Sequence, residues 1–394
     1  MPAVGAHYAW GMATPLTIPA ELLPHDGRFG SGPSKIRDEQ LAALRAAQPR
    51  VLGTSHRQAP VLKLVGDVRA MLTEFFALPD GYEVILANGG TTSFWDAAAF
   101  GLVRSRAQHC VFGEFGAKFA AATASAPHLE DPSVRSAEVG SIALPVAEDG
   151  IDAYAWPHNE TSTGAMAPVK RPEGIGDALV LIDGTSAAGG AALDASQADV
   201  YYFAPQKSFA SDGGLWFALV SPAAIARIEE IAASGRYIPT SLSLKEAVDN
   251  SRVNQTANTP AVATLVLMRA QLEWMLANGG MAWTDARTRE SSGFLYDWAG
   301  DSHYLEAFVT NPSHRSTVVT TLDLARHIDS AELRAVLRHN GIVDIDPYRK
   351  LGRNQIRVGV YPAVDPEDVR ALAACIDWVV ARNHEQHGGG SPGA

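Results

Sequence analysis

The spacing of apolar residues divides the first 280 residues into alternating strand-like and helix-like segments. Apolar residues at intervals of three and four predict helices at residues 38–47, 61–76, 94–103, 222–233 and 260–276. Short, nearly continuous apolar runs predict strands at residues 82–87, 109–112, 141–145, 178–182, 200–204 and 215–220. Such strands, alternating with helices, are typical of a mostly parallel sheet covered by helices on both faces. We therefore expect an α/β fold here.

The pattern changes after Gly280. A long helix is predicted at residues 282–298, and shorter elements follow it: strands at 316–321 and 355–361, and helices at 330–339 and 366–382. This part of the chain therefore predicts a smaller α+β domain. We divide the chain into an N-terminal segment (1–30), a large domain (31–280), a small domain (281–387) and a flexible tail (388–394).

Two predicted helices begin with a hydroxyl residue directly before a proline, Ser221-Pro222 and Thr259-Pro260. The hydroxyl can accept a hydrogen bond from a free N–H group of the first turn, and proline is well suited to the first helical position. Both pairs therefore predict the N-terminus of a helix.

Composition and charge exclude several classes of function. The net charge of −11 argues against a nucleic-acid-binding surface, which needs a basic face. No apolar run approaches the roughly 20 residues that span a bilayer, and the first residues do not resemble a secretory signal. The two cysteines, Cys110 and Cys375, lie in apolar contexts, and we expect buried free thiols in a reducing cytoplasm. No Cys/His cluster has metal-ligand spacing, so we expect no metal.

A glycine-rich turn, Gly-Gly-Thr-Thr-Ser at residues 89–93, follows the predicted strand at 82–87. Open α/β sheets bind ligands at the carboxyl ends of their strands. Paired glycines let the backbone approach an anion, and the N-terminus of the next helix offers free N–H groups. The turn is therefore a candidate phosphate site, although an ordinary capped turn has the same sequence.

Asp183 and Lys207 also follow predicted strands. Asp183 either caps a turn or pairs with a pyridinium nitrogen. Lys207 lies between Phe203 and Phe209, and lysines are rarely buried without a partner. Burial lowers the pKa of an amine and makes it a nucleophile that can form an imine, whereas an ordinary lysine extends its stem along the surface. A phosphate turn, a carboxylate and a lysine, in this order, are the three anchors that pyridoxal phosphate needs.

Finer motifs of the chain resemble those of the phosphoserine aminotransferases. They are Phe-Gly-Ser-Gly-Pro at 29–33, Ser-His-Arg at 55–57, His-Asn-Glu-Thr-Ser-Thr-Gly at 158–164, Ala-Pro-Gln-Lys at 204–207 and Ala-Asn-Thr-Pro at 257–260. The matches extend from about residue 28 to residue 361. The resemblance implies the fold-type I pyridoxal-phosphate transferase architecture: a mostly parallel seven-stranded sheet between helices and a smaller α+β C-terminal domain.

The resemblance also implies a role for each matching position. The expected contacts with pyridoxal phosphate are Gly90, Thr91 and Gln206 at the phosphate, Phe115 on the pyridine ring, Thr161 near the phenolic oxygen, Asp183 at the ring nitrogen, and Lys207 as the Schiff-base and proton-transferring lysine. Asn258 and Thr259 would reach the phosphate from a partner subunit, which implies a homodimer with shared active sites.

Five further residues would bind the substrate. The resemblance implies that His56 and Arg57 contact its phosphate or side-chain carboxylate across the subunit interface. Arg357 would bind the α-carboxylate through two parallel hydrogen bonds from its guanidinium group. The alternative is an arginine on a surface strand, with its stem packed on apolar neighbours. A second family arginine precedes it, and Arg349 and Arg353 compete for that role, with Arg349 slightly favoured.

Two positions depart from the family pattern and indicate a divergent branch. Phe115 stands where the family usually has a tryptophan, and it keeps the aromatic face but loses the indole N–H donor. Thr91 stands where many members have an arginine, so one expected contact to a phosphorylated substrate is missing. These departures affect the choice of substrate more than the choice of cofactor.

The resemblance implies transamination between L-glutamate and 3-phosphohydroxypyruvate, which gives O-phospho-L-serine and 2-oxoglutarate in serine biosynthesis. 4-Phosphohydroxythreonine, in vitamin B6 synthesis, is a second candidate substrate. A serine–pyruvate or alanine–glyoxylate aminotransferase would share Lys207 and Asp183 without needing His56 and Arg57. A non-catalytic sensor of pyridoxal phosphate is the alternative from another class, but this acidic chain has no room for a DNA-binding module.

Overall fold

A seven-stranded sheet lies at the centre of the computed structural model, which describes residues 16–387. In chain order the strands of the protein are β1 (Glu83–Asn88), β2 (Ala107–Val111), β3 (Ser133–Ser136), β4 (Ala153–Pro157), β5 (Asn159–Glu160), β6 (Ala165–Met166), β7 (Leu179–Asp183), β8 (Val200–Phe203), β9 (Leu215–Val220), β10 (Leu305–Ala307), β11 (Val319–Leu324) and β12 (Gln355–Gly359). The order across the large sheet is β1-β9-β8-β7-β4-β2-β3. Only β9 runs antiparallel to its neighbours, so the expected mostly parallel sheet is confirmed.

Helices cover both faces of this sheet and build the second unit. They are α1 (Asp38–Ala47), α2 (Ala59–Phe75), α3 (Thr91–Gly101), α4 (Glu114–Ala124), α5 (Pro222–Ala233), α6 (Leu244–Arg252), α7 (Val262–Ala277), α8 (Gly280–Asp301), α9 (Ser330–His339) and α10 (Pro366–His387). Every residue of β7, β8 and β9 is buried, because helices pack on both sides of these strands. This explains why their sequences are continuously apolar rather than alternating.

One of the two predicted helix starts is confirmed and the other is wrong. The Ser221 hydroxyl accepts a hydrogen bond from the backbone N–H of Ala224 at 3.1 Å, and α5 begins at Pro222. At the second site α7 begins only at Val262. The Thr259 hydroxyl lies 3.1 Å from His56 Nδ1 instead of capping the helix. A tertiary contact has therefore replaced the local one.

The predicted strand at 141–145 is also wrong, because this segment is irregular. Its apolar side chains lie at the margin of the core: Ile142 is partly buried and Leu144 is 45% exposed. The strand that pairs between β2 and β7 is instead β4, with every residue buried. Local apolarity indicated a strand, but it could not show which segment the sheet would accept.

A three-stranded antiparallel sheet, β10-β11-β12, forms the second unit together with α8, α9 and α10. Its core also contains Ile18 and Phe29 from the N-terminal segment, which joins it through a bridge between Arg28 and Val343. The division at residues 30, 280 and 387 stays a prediction, and the proposed tail at 388–394 lies outside the described residues. No helix within residues 16–387 is long and apolar enough to cross a membrane. Cys110 and Cys375 are both buried and free.

Candidate active site

Most of the predicted cofactor residues lie at one edge of the large sheet. The segments that carry them follow the carboxyl ends of β1, β2, β4, β7 and β8, which all point to that edge. Asp183 is the last residue of β7, and β7 pairs directly with β8, which leads to Lys207. This edge is where open α/β sheets bind ligands.

The amine of Lys207 is buried and donates a hydrogen bond to the carbonyl of Ser31 at 2.7 Å. The Tyr361 hydroxyl donates to the same carbonyl at 2.8 Å. Burial, and to a smaller extent the positive charge of Arg357, lower the pKa of Lys207 to about 8, and the negative charge of Asp183 opposes this shift. At this pKa a substantial fraction of the amine is neutral near physiological pH, as a nucleophile or a proton acceptor requires.

Gly32 allows the chain to pass close to this amine. A Cβ atom at this position would lie 1.8 Å from Lys207 Nζ, and the φ angle of Gly32 is +142°. Side-chain-bearing residues rarely adopt that angle, and no side chain could occupy that space unless Lys207 moved. The second glycine of the Phe-Gly-Ser-Gly-Pro motif is therefore required by the position of Lys207, which the sequence did not reveal.

Asp183 is a buried carboxylate held by neighbouring donors. One oxygen accepts from the backbone N–H of Thr185 at 2.8 Å and from its hydroxyl at 2.5 Å, and the other accepts from the Trp95 indole at 3.3 Å. Burial raises the pKa of Asp183, while these hydrogen bonds favour its charged form. Sequence reasoning missed Trp95 and Thr185, although Thr185 is only two residues from the carboxylate that it holds.

Arg357, on β12, brings the second unit to this edge. One guanidinium nitrogen donates to the carbonyl of Thr161 at 2.9 Å, and the guanidinium carbon lies 5.5 Å from the centre of the Tyr348 ring. Arg357 Nε is buried and has no hydrogen-bond partner among residues 16–387. Burial lowers the pKa of Arg357, but it remains a cation because arginine titrates far above neutral pH.

Tyr348 is a further residue of this region that sequence reasoning missed. Its ring meets the ring of Phe115 edge-on, with the centroids 6.0 Å apart. Phe115 lies in the first turn of α4, a helix of the large domain, and Arg357 lies on β12 of the second unit. Tyr348 therefore contacts residues of both units. No local signal marks this tyrosine, because its partners are far away in the sequence.

The candidate phosphate turn leads from β1 directly into α3. Gly89 has a φ angle of +121° and donates to the carbonyl of Gly214 at 3.0 Å, and Gly90 directly precedes Thr91, the first residue of α3. Gln206 contributes a side-chain oxygen that is buried and unpaired within the described part of the chain. The turn and this amide could therefore both offer polar groups to a ligand.

His56 and Thr259 lie together, next to the strand that leads to this turn. His56 Nδ1 is 3.1 Å from the Thr259 hydroxyl, and the Asn88 side chain donates to the carbonyl of Thr259 at 2.8 Å. Asn258 and Arg57 are exposed nearby along the chain. The structure therefore brings together two segments that the sequence separates by about 200 residues.

The two competing arginines have different environments. The Arg353 guanidinium makes two hydrogen bonds to the carboxylate of Asp323 and lies 4.6 Å from the centre of the Phe308 ring. Arg349 is exposed at the start of the short 3-10 helix Arg349–Leu351. Because Arg353 is already engaged by a carboxylate, the geometry favours Arg349 for substrate binding, which stays a prediction.

The family model described as Aminotransferase class-V matches residues 33–372. The chain belongs to this family. A putative phosphoserine aminotransferase of Mycolicibacterium vanbaalenii is 59% identical to this class-V aminotransferase, over 94% of this chain and 100% of that protein. A phosphoserine aminotransferase of Nocardioides sp. is 60% identical over 94% of this chain and 99% of that one. The resemblance that the motifs indicated is therefore confirmed.

The fold agrees with this membership. The crystal structure of a phosphoserine aminotransferase from Cytophaga hutchinsonii matches this class-V aminotransferase with a TM-score of 0.82, over 90% of this chain and 99% of that chain. The sequence identity is 21%, so this likeness concerns the fold alone. The expectation of a fold-type I transferase is confirmed.

The residues at the sheet edge fit pyridoxal phosphate. The cofactor needs an amine for its aldehyde, an anion for its ring nitrogen and donors for its phosphate. Lys207 and Asp183 are a buried amine and a buried carboxylate on segments that follow neighbouring strands. The N-terminus of α3, with Gly90 just before it, supplies free N–H groups.

Proposed function

We propose that this class-V aminotransferase uses pyridoxal phosphate to exchange an amino group between L-glutamate and 3-phosphohydroxypyruvate. The products are O-phospho-L-serine and 2-oxoglutarate. The carrying observation is a buried amine with a lowered pKa and a buried carboxylate on segments that follow neighbouring strands, in a chain about 60% identical to a protein named phosphoserine aminotransferase. Another substrate of the proposed site is 4-phosphohydroxythreonine, which has the same phosphate group.

The proposed cofactor contacts are those that the family resemblance implies. Gly90, Thr91 and Gln206 would bind the phosphate, Phe115 would cover the ring, and Thr161 would lie by the phenolic oxygen. When bound, pyridoxal phosphate supplies an electron sink for the electrons of the substrate's Cα–H bond. Asp183 supports that role, because a carboxylate at the ring nitrogen stabilises its protonated form.

Lys207 would move the proton. Its amine has a pKa of about 8, so it would accept a proton from the substrate Cα and deliver it to C4′ of the cofactor in the same half-reaction, and it would move a proton in the reverse direction in the second half-reaction. Arg357 would hold the α-carboxylate in a bidentate pair, which fixes the orientation of the Cα–H bond. Tyr348 packs against the guanidinium and restricts its movement.

The phosphate end of the substrate would be bound at a subunit interface. In this proposal two protein chains form a homodimer, and His56 and Arg57 of one chain contact the substrate held by the other. Asn258 and Thr259 would reach the cofactor phosphate in the same way. The close contact between His56 and Thr259 supports a shared role for the two segments. The proposed location is the cytoplasm, where the two free buried thiols stay reduced.

Half-reactions test the proposal. The purified protein is loaded with pyridoxal phosphate and mixed with glutamate, and the absorbance of the cofactor is followed. Either 3-phosphohydroxypyruvate or pyruvate is then added, and the rates at which the original spectrum returns are compared. We expect faster return with the phosphorylated acid; faster return with pyruvate would favour a serine–pyruvate or alanine–glyoxylate activity. Lys207→Ala should lose essentially all turnover, and turnover near the wild-type rate would refute the assignment.

Arg57→Ala tests whether Arg57 contacts the phosphate group of the substrate. We expect it to raise KM for 3-phosphohydroxypyruvate much more than KM for pyruvate, because only the first acid carries a phosphate for Arg57 to contact. An equal effect on both acids would contradict the proposed role. If glutamate leaves the cofactor spectrum unchanged, glutamate is not the amino donor and the proposed reaction is wrong.

A further inference from the structure

Glu160 is a fully buried carboxylate that receives only hydrogen-bond donors. One oxygen accepts the backbone N–H groups of Phe115 at 3.0 Å and Gly116 at 3.1 Å. The other accepts the backbone N–H of Ser162 at 3.2 Å and its hydroxyl at 2.6 Å. Since all four groups donate, the ionised carboxylate satisfies every one of them.

These bonds cap the N-terminus of α4 from a distant part of the chain. The residue before the helix, Gly113, has no side chain with which to cap it. The Ser162 hydroxyl accepts the N–H of Glu114 at 3.1 Å, so the turn at 160–162 receives the first three N–H groups of the helix. A negative charge here is also favoured by the helix dipole.

Gly113 is shaped to admit this carboxylate. A Cβ atom at Gly113 would lie 2.2 Å from Cγ of Glu160 and 2.4 Å from its Cδ. Only a glycine at position 113 lets the turn approach so closely, so the contact depends on Gly113 as well as on Glu160. Burial raises the pKa of Glu160, and its hydrogen bonds oppose that rise.

The same turn reaches the second unit. The carbonyl of Thr161 accepts from Arg357 at 2.9 Å, and the carbonyl of Thr163 accepts from the hydroxyl of Thr321 on β11 at 2.7 Å. One short segment therefore contacts the helix that carries Phe115 and also the arginine on β12. A shift of this turn would move both.

We propose that Glu160 is a positioning residue that fixes the start of α4, and with it Phe115, to the turn whose Thr161 carbonyl orients Arg357. This rests on the proposed function, in which Phe115 covers the cofactor ring and Arg357 binds the substrate α-carboxylate. Glu160 itself contacts neither molecule; it acts through the backbone that it holds.

The test compares Glu160→Gln with Asp152→Asn, which is a matched change elsewhere. The Asp152 carboxylate accepts the backbone N–H groups of Arg104, Ser105 and Arg106 at 2.8, 2.7 and 2.9 Å, on a different loop. Both changes replace an oxygen acceptor with an NH2 group that cannot accept. Ser162→Ala is a milder variant: it removes the acceptor of the Glu114 N–H and one of the four donors to Glu160, but it keeps the carboxylate and its three backbone N–H donors.

Three measurements on the full chain test whether Glu160 is a positioning residue. Without cofactor, Glu160→Gln should raise hydrogen exchange at residues 113–118 about tenfold or more, and Asp152→Asn should not. The Kd for pyridoxal phosphate should be about tenfold higher in Glu160→Gln than in the wild-type protein, and Asp152→Asn should keep the wild-type Kd. With saturating cofactor, KM for glutamate should rise more than kcat falls. Ser162→Ala should raise exchange at Glu114 and alter cofactor binding less.

Specific outcomes overturn the inference. If Glu160→Gln and Asp152→Asn lower the melting temperature equally and neither changes cofactor affinity or KM, Glu160 only stabilises the fold. If Glu160→Gln does not fold, unchanged exchange at Glu114 in Ser162→Ala would refute the capping arrangement. If wild-type protein binds pyridoxal phosphate but transfers no amino group, the proposed function fails, while exchange and cofactor affinity still decide the role of Glu160.

Discussion

Replacing Gly32 with alanine should displace the Lys207 amine directly. The new Cβ would lie 1.8 Å from Nζ, 2.5 Å from Cε and 2.8 Å from Cδ of Lys207. The amine must therefore move by about 1 Å or more, and a misplacement of about 1 Å can cost a factor of about 100 in rate. Moving it also breaks the 2.7 Å hydrogen bond to Ser31, which contributes about 1.5–3 kcal/mol if the amine is charged. The backbone strain at a φ angle of +142° adds about 1–3 kcal/mol.

Gly235→Ala is a control that introduces backbone strain without a steric clash. Gly235 has a φ angle of +82°, and a Cβ atom there would have no neighbour within 4 Å. We expect both variants to lower the melting temperature, but only Gly32→Ala to reduce pyridoxal-phosphate binding and turnover, the latter about a hundredfold. Absorbance titration, steady-state kinetics and thermal unfolding measure these effects. Wild-type cofactor binding by a folded Gly32→Ala protein would refute the packing argument.

The remaining predictions concern pH and three arginines. Because Lys207 has a pKa of about 8 in the folded chain against 10.5 ordinarily, the unfolded chain binds more protons between these values, so stability without cofactor should rise from about pH 8 to about pH 10.5. Denaturant unfolding of Lys207→Met should lack this rise, and a persisting rise would contradict it. Arg357→Met should move the midpoint for reaction with pyridoxal phosphate above pH 8, as seen in stopped-flow absorbance, because it removes a nearby positive charge. Arg349→Ala should raise substrate KM at least about tenfold, whereas Arg353→Ala should mainly cost about 1 kcal/mol of stability; the reverse result would reassign the role.

The predicted elements agree best with the structure where their apolar pattern is strong. The strand at 215–220 and the helices at 38–47, 222–233 and 330–339 have the predicted bounds. The segment at 141–145 failed because a strand requires a neighbour to pair with, and no local pattern shows which neighbour is available. Thr259 failed as a cap for a similar reason, since its hydroxyl faces His56.

Lys207 and Asp183 could be identified as candidates because each follows a continuous apolar run, and parallel strands bring their carboxyl ends to one edge. The identities of the anchors and their order along the chain therefore followed from the sequence and a family resemblance. That resemblance also indicated Arg357, although nothing local distinguishes it from a surface strand arginine.

The tertiary structure alone decided what surrounds these groups. Trp95 donates to Asp183, Tyr348 packs on Arg357, and Glu160 holds the helix that carries Phe115. The lowered pKa of Lys207 likewise depends on burial and on a charge 150 residues away. Sequence patterns encode which face of an element is apolar, because that is a local property. Electrostatics and hydrogen bonding depend on distances between remote residues, which exist only once the chain has folded.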